Sequence, residues 1–133
     1  MIDLAKLQAV MNDIESEKGP LWLFAVVQRE DSPPDRWHLL VAGPWSKSGR
    51  LKSIRYVFEK IEAHFSPKER RWLSVVITLE KNYPAFKDAI SWTKVTEGAP
   101  VELQNVWLNG VLVYKAIVFR AQEPKPAEQT AVV

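Results

Sequence analysis

Cysteine is absent from the 133 residues, which excludes disulfides, thiolate nucleophiles and cysteine-ligated metals together. Histidine is nearly absent. His38 and His64 are the only side chains with an unperturbed pKa near neutrality, so a histidine-rich metal centre is excluded as well. Neither stands near a Gly-x-Ser-x-Gly elbow, and no acid has a spacing that would orient either ring. The acids are scattered, without the spacing of a calcium loop. No cofactor, no metal and no catalytic residue is assigned, and an enzyme would have to assemble its site from residues far apart in the chain. Long apolar runs are missing too. None approaches the ~20 residues that a membrane-spanning helix needs, and the first residues alternate charged and apolar side chains instead of a basic segment followed by a greasy one. A soluble, cytoplasmic protein is expected.

What is present is ordinary globular material, 47% hydrophobic and 26% charged. One domain is expected over residues 1–121. Residues 122–133, small, polar and punctuated by proline, read as a flexible C-terminal tail.

The stretch from Leu21 to Trp45 organises the rest. Seven apolar residues, Leu21 to Val27, are rich in aromatic and β-branched side chains and too few for a free-standing helix, so they read as a strand covered on both faces. Residues 29–36 hold two prolines among acids and a serine, which is turn chemistry. Trp37 to Trp45 then returns as the second strand of a hairpin.

Before it, Leu4, Leu7, Val10/Met11 and Ile14 recur at helical spacing, with Asp3 placed to cap and Gly19-Pro20 placed to stop the helix. Lys6, Gln8, Asn12, Asp13 and Glu15 are expected on its outer face. After it, Ser48 to Phe65 is the clearest helix, with Leu51, Ile54, Phe58, Ile61 and Phe65 inward and Lys52, Tyr56 and Lys60 outward. Ser66-Pro67-Lys68-Glu69 is a capping box with proline at the first helical position.

Leu73 to Leu79 is apolar nearly throughout and reads as an inner strand, parallel to the second strand through a helical crossover. Ala85 to Trp92 is expected to be a short helix. Asn109-Gly110 joins two further strands as a hairpin, since both residues accept the positive φ of a type I′ turn. In that register Leu108 faces Val111 and Val106 faces Val113. Leu103, Trp107, Leu112, Tyr114 and Ala116 then share the other face. The fold class is α+β, with about five strands in a mixed sheet, two main helices and one short one, the helices mainly on one face.

Two features are equipped to bind something. Gly43 to Arg50 ends a strand and opens a helix, where free backbone N–H groups favour an anion. Ser46, Lys47, Ser48, Gly49 and Arg50 are the candidate anion-binding residues there. The P-loop pattern fails in both spacing and terminal residues. Charge is distributed to match: residues 1–45 carry four basic and seven acidic side chains, net −3, and residues 46–72 carry eight and three, net +5.

The other feature is tryptophan, of which there are six. Trp37, Trp45, Trp107 and Tyr114 are the candidate interface residues, tryptophan being enriched at binding hot spots. These features suggest a small interaction or accessory module acting by protein–protein contact, self-association as a homodimer included. The alternative is an anionic ligand or nucleic acid held at Ser46 to Arg55.

Overall fold

The structure, a computed structural model, describes residues 2–47 and 50–124, with the side chains of residues 46, 47 and 50 excepted. Helix α1 (Leu4–Lys18) starts where the Asp3 carboxylate accepts the Lys6 N–H at 3.1 Å. It ends at Gly19, whose φ of 86° is the left-handed conformation that glycine tolerates. Leu7, Val10, Met11 and Ile14 are fully buried.

Strand β1 (Leu23–Arg29) is the middle of a five-stranded sheet ordered β3-β2-β1-β5-β4. Leu23 to Val27 are all buried because both faces are covered. Phe24 and Val26 meet the core under α1 and the second helix, and Leu23, Ala25 and Val27 meet the core on the opposite face. Strand β2 (Trp37–Ala42) returns antiparallel to β1. Helix α2 (Arg50–His64) then crosses over, so that β3 (Leu73–Thr78) lies parallel to β2. The short α3 (Pro84–Trp92) covers the other face through Phe86 and Ala89.

Strands β4 (Val101–Leu108) and β5 (Val111–Ala121) close the sheet. Asn109 and Gly110 have φ of 48° and 83°, as the turn chemistry predicts. The register pairs Leu108 with Val111 and Val106 with Val113. The architecture is α+β, with α1 and α2 on one face of a mixed sheet. Among the described residues no helix is long and apolar enough to cross a membrane.

Several expectations are corrected. β3 has the composition of an inner strand but lies at the sheet's edge. Side-chain apolarity reports how many faces are covered, whereas an edge is a matter of backbone pairing, which composition does not record. Helix α2 is rolled from its predicted orientation: Ser53, Val57, Ile61 and Phe65 are buried, while Leu51 is 68% and Phe58 39% exposed. Its apolar arc is wider than the surface available to cover it. Tyr56 and Lys60 point not outward but to the end of α1, where Tyr56 Oη donates to Glu17 at 2.6 Å and Lys60 pairs with the same carboxylate.

In the terminal hairpin, Asn105 of β4 takes a φ of 55°, and the pairing of β5 with β1 skips Tyr114, so the alternation of faces is broken on both strands. Leu103 and Ala116 therefore pack in the same core as Val106, Leu108 and Val113. Gln122, placed in the expected tail, donates through its backbone N–H to Trp22 O and through its side chain to Leu21 O. Residues 125–133 lie outside the described residues.

Candidate interaction site

A cleft of about 580 Å³ lies between the head of α1 and the sheet. Its walls come from separate parts of the chain. Ile2 and Leu4 reach it because Asp3 starts the helix at that point. Trp37 opens β2, and its pairing with Leu73 brings it beside the 3₁₀ turn Glu69–Trp72. That turn is set by the capping box: Ser66 N–H donates to Glu69 Oε1 at 2.9 Å, and Glu69 N–H donates to Ser66 Oγ at 3.2 Å. A Lys6–Glu69 ion pair ties the turn to α1. The box thus fixes the ring that ends the turn, Trp72, in the cleft wall.

Ile117, Lys115 and Glu102 contribute from β5 and β4. Lys115 pairs with Glu102 across the two strands at 3.1 Å. Pro34 and Asp35 come from the β1–β2 loop, which is held where Gln28 Nε2 donates to Pro34 O at 2.7 Å. Asp31 in the same loop is paired with Arg29, whose hydrogen bonds hold its carboxyl below the usual range.

The two indoles differ. Trp37 is half-buried, whereas Trp72 is 6% exposed and packs edge-on against Phe65 at 5.5 Å. The Trp72 N–H is buried and has no acceptor among the described residues. A buried donor left unmet costs about 1–3 kcal/mol. His38, next to Trp37 in β2, lies on the other face. Burial first, and then the neighbouring Arg29 charge, push its pKa down, so the neutral ring is favoured.

The remaining aromatic candidates do not converge on this cleft's walls. Trp107 and Tyr114 are 59% and 52% exposed on β4 and β5. Trp107's carbonyl accepts from Trp92 Nε1 at 3.0 Å, and Asn109 N–H donates to Asp88 Oδ2 at 2.7 Å. The hairpin end is therefore tied to α3 while both rings stay in solvent. Trp45 is half-buried, edge-on to Tyr56 at 5.5 Å. Gly43 makes room for it, since a Cβ there would stand 2.8 Å from the Trp45 ring nitrogen.

Of the anion-binding candidates, Ser48 and Gly49 and the side chains of Ser46, Lys47 and Arg50 lie outside the described residues. A hollow of about 150 Å³ is lined by Lys18, Trp45, Lys52, Ser53 and Tyr56. Lys18 Nζ sits 4.9 Å from the Tyr56 ring centre. Among the described residues, no three His, Asp or Glu side chains gather as metal ligands.

Sequence reasoning singled out Trp37 but missed the walls facing it. Leu4 and Ile117 read only as members of a helix and a strand, and Ile2, before the cap, belongs to no predicted element. The one signal available for Trp72 was the capping box, which places that residue at the end of a turn. Compared with protein-family models, with curated proteins and with solved structures, the chain matches none.

Proposed function

We propose that this protein is an interaction module that receives a short apolar segment of another protein in the cleft between α1 and the sheet. The observation that carries the reading is the cleft's composition: Ile2, Leu4, Pro34, Trp37, Trp72 and Ile117 with an ion pair along one wall. Its volume is that of a specific binding site. Apolar pockets with tryptophan at their centre and charge at their margin are where binding energy concentrates. Of the charged groups in its walls, Lys115 and Glu102 pair with each other and Asp35 belongs to the loop at the margin, while His38 lies on the other face of β2.

The test is recovery of partners by the tagged protein from its native extract, with half the sample nuclease-treated, using wild type, Leu4→Asp and Trp37→Ala. A partner recovered from both halves by wild type, and weakened about 30-fold or more by either substitution with an unchanged circular dichroism spectrum, is the expected result. Equal recovery by the variants would overturn the reading.

A second reading rests on the hollow that Lys18 and Lys52 line: an anionic ligand or nucleic acid. Material recovered only from the untreated half would favour it. Binding would then fall steeply with salt and be abolished by charge reversal at Lys47, Arg50 and Lys52.

A further inference from the structure

We propose that the segment received by the cleft is an amphipathic helix of another protein, lying beside α1 across β5 and β4 and reaching as far as Trp107; the proposal rests on the cleft being an interaction site. The floor decides against an extended segment. Gln28, Trp37, Lys115 and Ile117 come from β1, β2 and β5, all inner strands whose backbone groups face neighbouring strands. A strand laid on that surface would meet side chains and no backbone partner, whereas a helix satisfies its own peptide groups.

The sheet leaves a strip for that helix. α1 and α2 pack on this face against Phe24, Val26, Leu39 and Val41 of β1 and β2, and α3 covers the β5–β4 pair from the opposite side. Val106, Leu108 and Val113 point into the α3 core, so by alternation the pair Trp107–Leu112 lies on the α1 side, as do Lys115 and Gln104. Gln104 and Trp107 are exposed, so neither α1 nor α2 covers this part of the face. From Ile117 to Leu112 the strand runs about 16 Å at its usual rise, which about eleven residues of helix, or three turns, would span. Apolar residues at i, i+4, i+7 and i+11 then form one stripe along it.

Charge sets the rest of the helix's chemistry. Between Val101 and Phe119 the only charged residues are Glu102 and Lys115, and they pair with each other at 3.1 Å. At the head of α1, Asp3 caps the helix and Lys6 pairs with Glu69. The β1–β2 loop and its flanks carry Glu30, Asp31 and Asp35 against Arg29 and Arg36, a net charge of −1, with Asp31 paired to Arg29. A helix with an uncharged apolar stripe over the hairpin and a lysine or arginine toward that loop complements all of these groups.

The six tryptophans report on this through their indole N–H resonances, assigned from single tryptophan-to-phenylalanine variants of the nitrogen-15-labelled full chain. The probe is a peptide of about four turns, held helical by a side-chain bridge, with leucine at i, i+4, i+7 and i+11 and a lysine on its flank. Its control is an unbridged peptide of the same residues in scrambled order. The bridged helix is expected to move Trp37, Trp72 and Trp107 along one saturable curve and to leave Trp22, in the α3 core, unmoved. Trp107→Ala should weaken its binding about 10-fold, and the scrambled peptide should bind at least about 10-fold more weakly. Movement of Trp37 and Trp72 without Trp107, or equal movement by both peptides, would overturn the helix and leave the cleft as a binding site. No movement of any of the three at millimolar peptide would remove both. Movement with protein concentration alone would place a second copy on this face and overturn the proposal.

Discussion

At the scale of single residues, the side chains that hold the two ends of the chain together are polar. Arg120 in β5 is 8% exposed, and its guanidinium donates from Nε to Glu15 Oε2 at 3.1 Å and from Nη2 to Glu15 Oε1 at 2.8 Å. Glu15 Oε2 also accepts the Leu21 N–H at 2.9 Å, so one carboxylate positions α1, the start of the central hairpin and β5. Helical periodicity places Glu15 on the outer face; the structure turns it under the helix because a partner 105 residues away neutralises it. Removing one member of such a pair leaves a buried charge unmet. Arg120→Ala or Glu15→Ala is expected to lower unfolding free energy by about 3–5 kcal/mol, read from denaturant midpoints. Replacing both with apolar residues should cost much less than the sum of the two.

At the scale of elements, caps and turns behave as their residues dictate, while the orientation of faces is set elsewhere. The Ser66–Glu69 box forms as its spacing predicts, and its carboxylate has gained a further partner in Lys6, which no local pattern announces. The Lys6 ammonium first, then the Ser66 hydrogen bonds, hold the Glu69 carboxyl down at about 2, against an ordinary value of 4.5. A folded-state pKa below the unfolded one contributes stability that is complete above about 4.5 and is lost as pH falls toward about 2. Glu69→Gln is therefore expected to flatten the pH dependence of stability across that window and leave its slope near neutrality unchanged, as urea titrations at stepped pH would show. α2 makes the complementary point. Leu51, Ile54, Val57, Phe58, Ile61 and Phe65 span more of the helix than one face, so periodicity admits several rolls, and contact with β3 and α1 selects the one that leaves Leu51 and Phe58 outside.

At the scale of the whole molecule, two cores share one sheet. The α1/α2 core contains Trp72, and the α3 core contains Trp22, tilted against Phe86 at 5.9 Å. They are not separate units, because β1 sends alternate side chains into each. Melting either core would strip one face of the strand that supports the other. The indole N–H resonances of Trp22 and Trp72 are therefore expected to disappear with a common midpoint through urea unfolding. Two midpoints would show that the cores unfold independently.

The sequence by itself determined the local elements, because their signals are local. Asp3 and Gly19 bound α1, Asn109-Gly110 forms a hairpin in the expected register, and the unbroken run from Leu21 to Val27 demands cover on both faces. The tertiary structure alone decided which strands became edges, which flank of α2 faces outward, and that Ile2, Leu4, Trp37, Trp72 and Ile117 meet around one cleft. Those outcomes follow from backbone pairing and from packing between residues distant in sequence. Hydrophobic periodicity averages over such partners and retains no trace of which one is chosen.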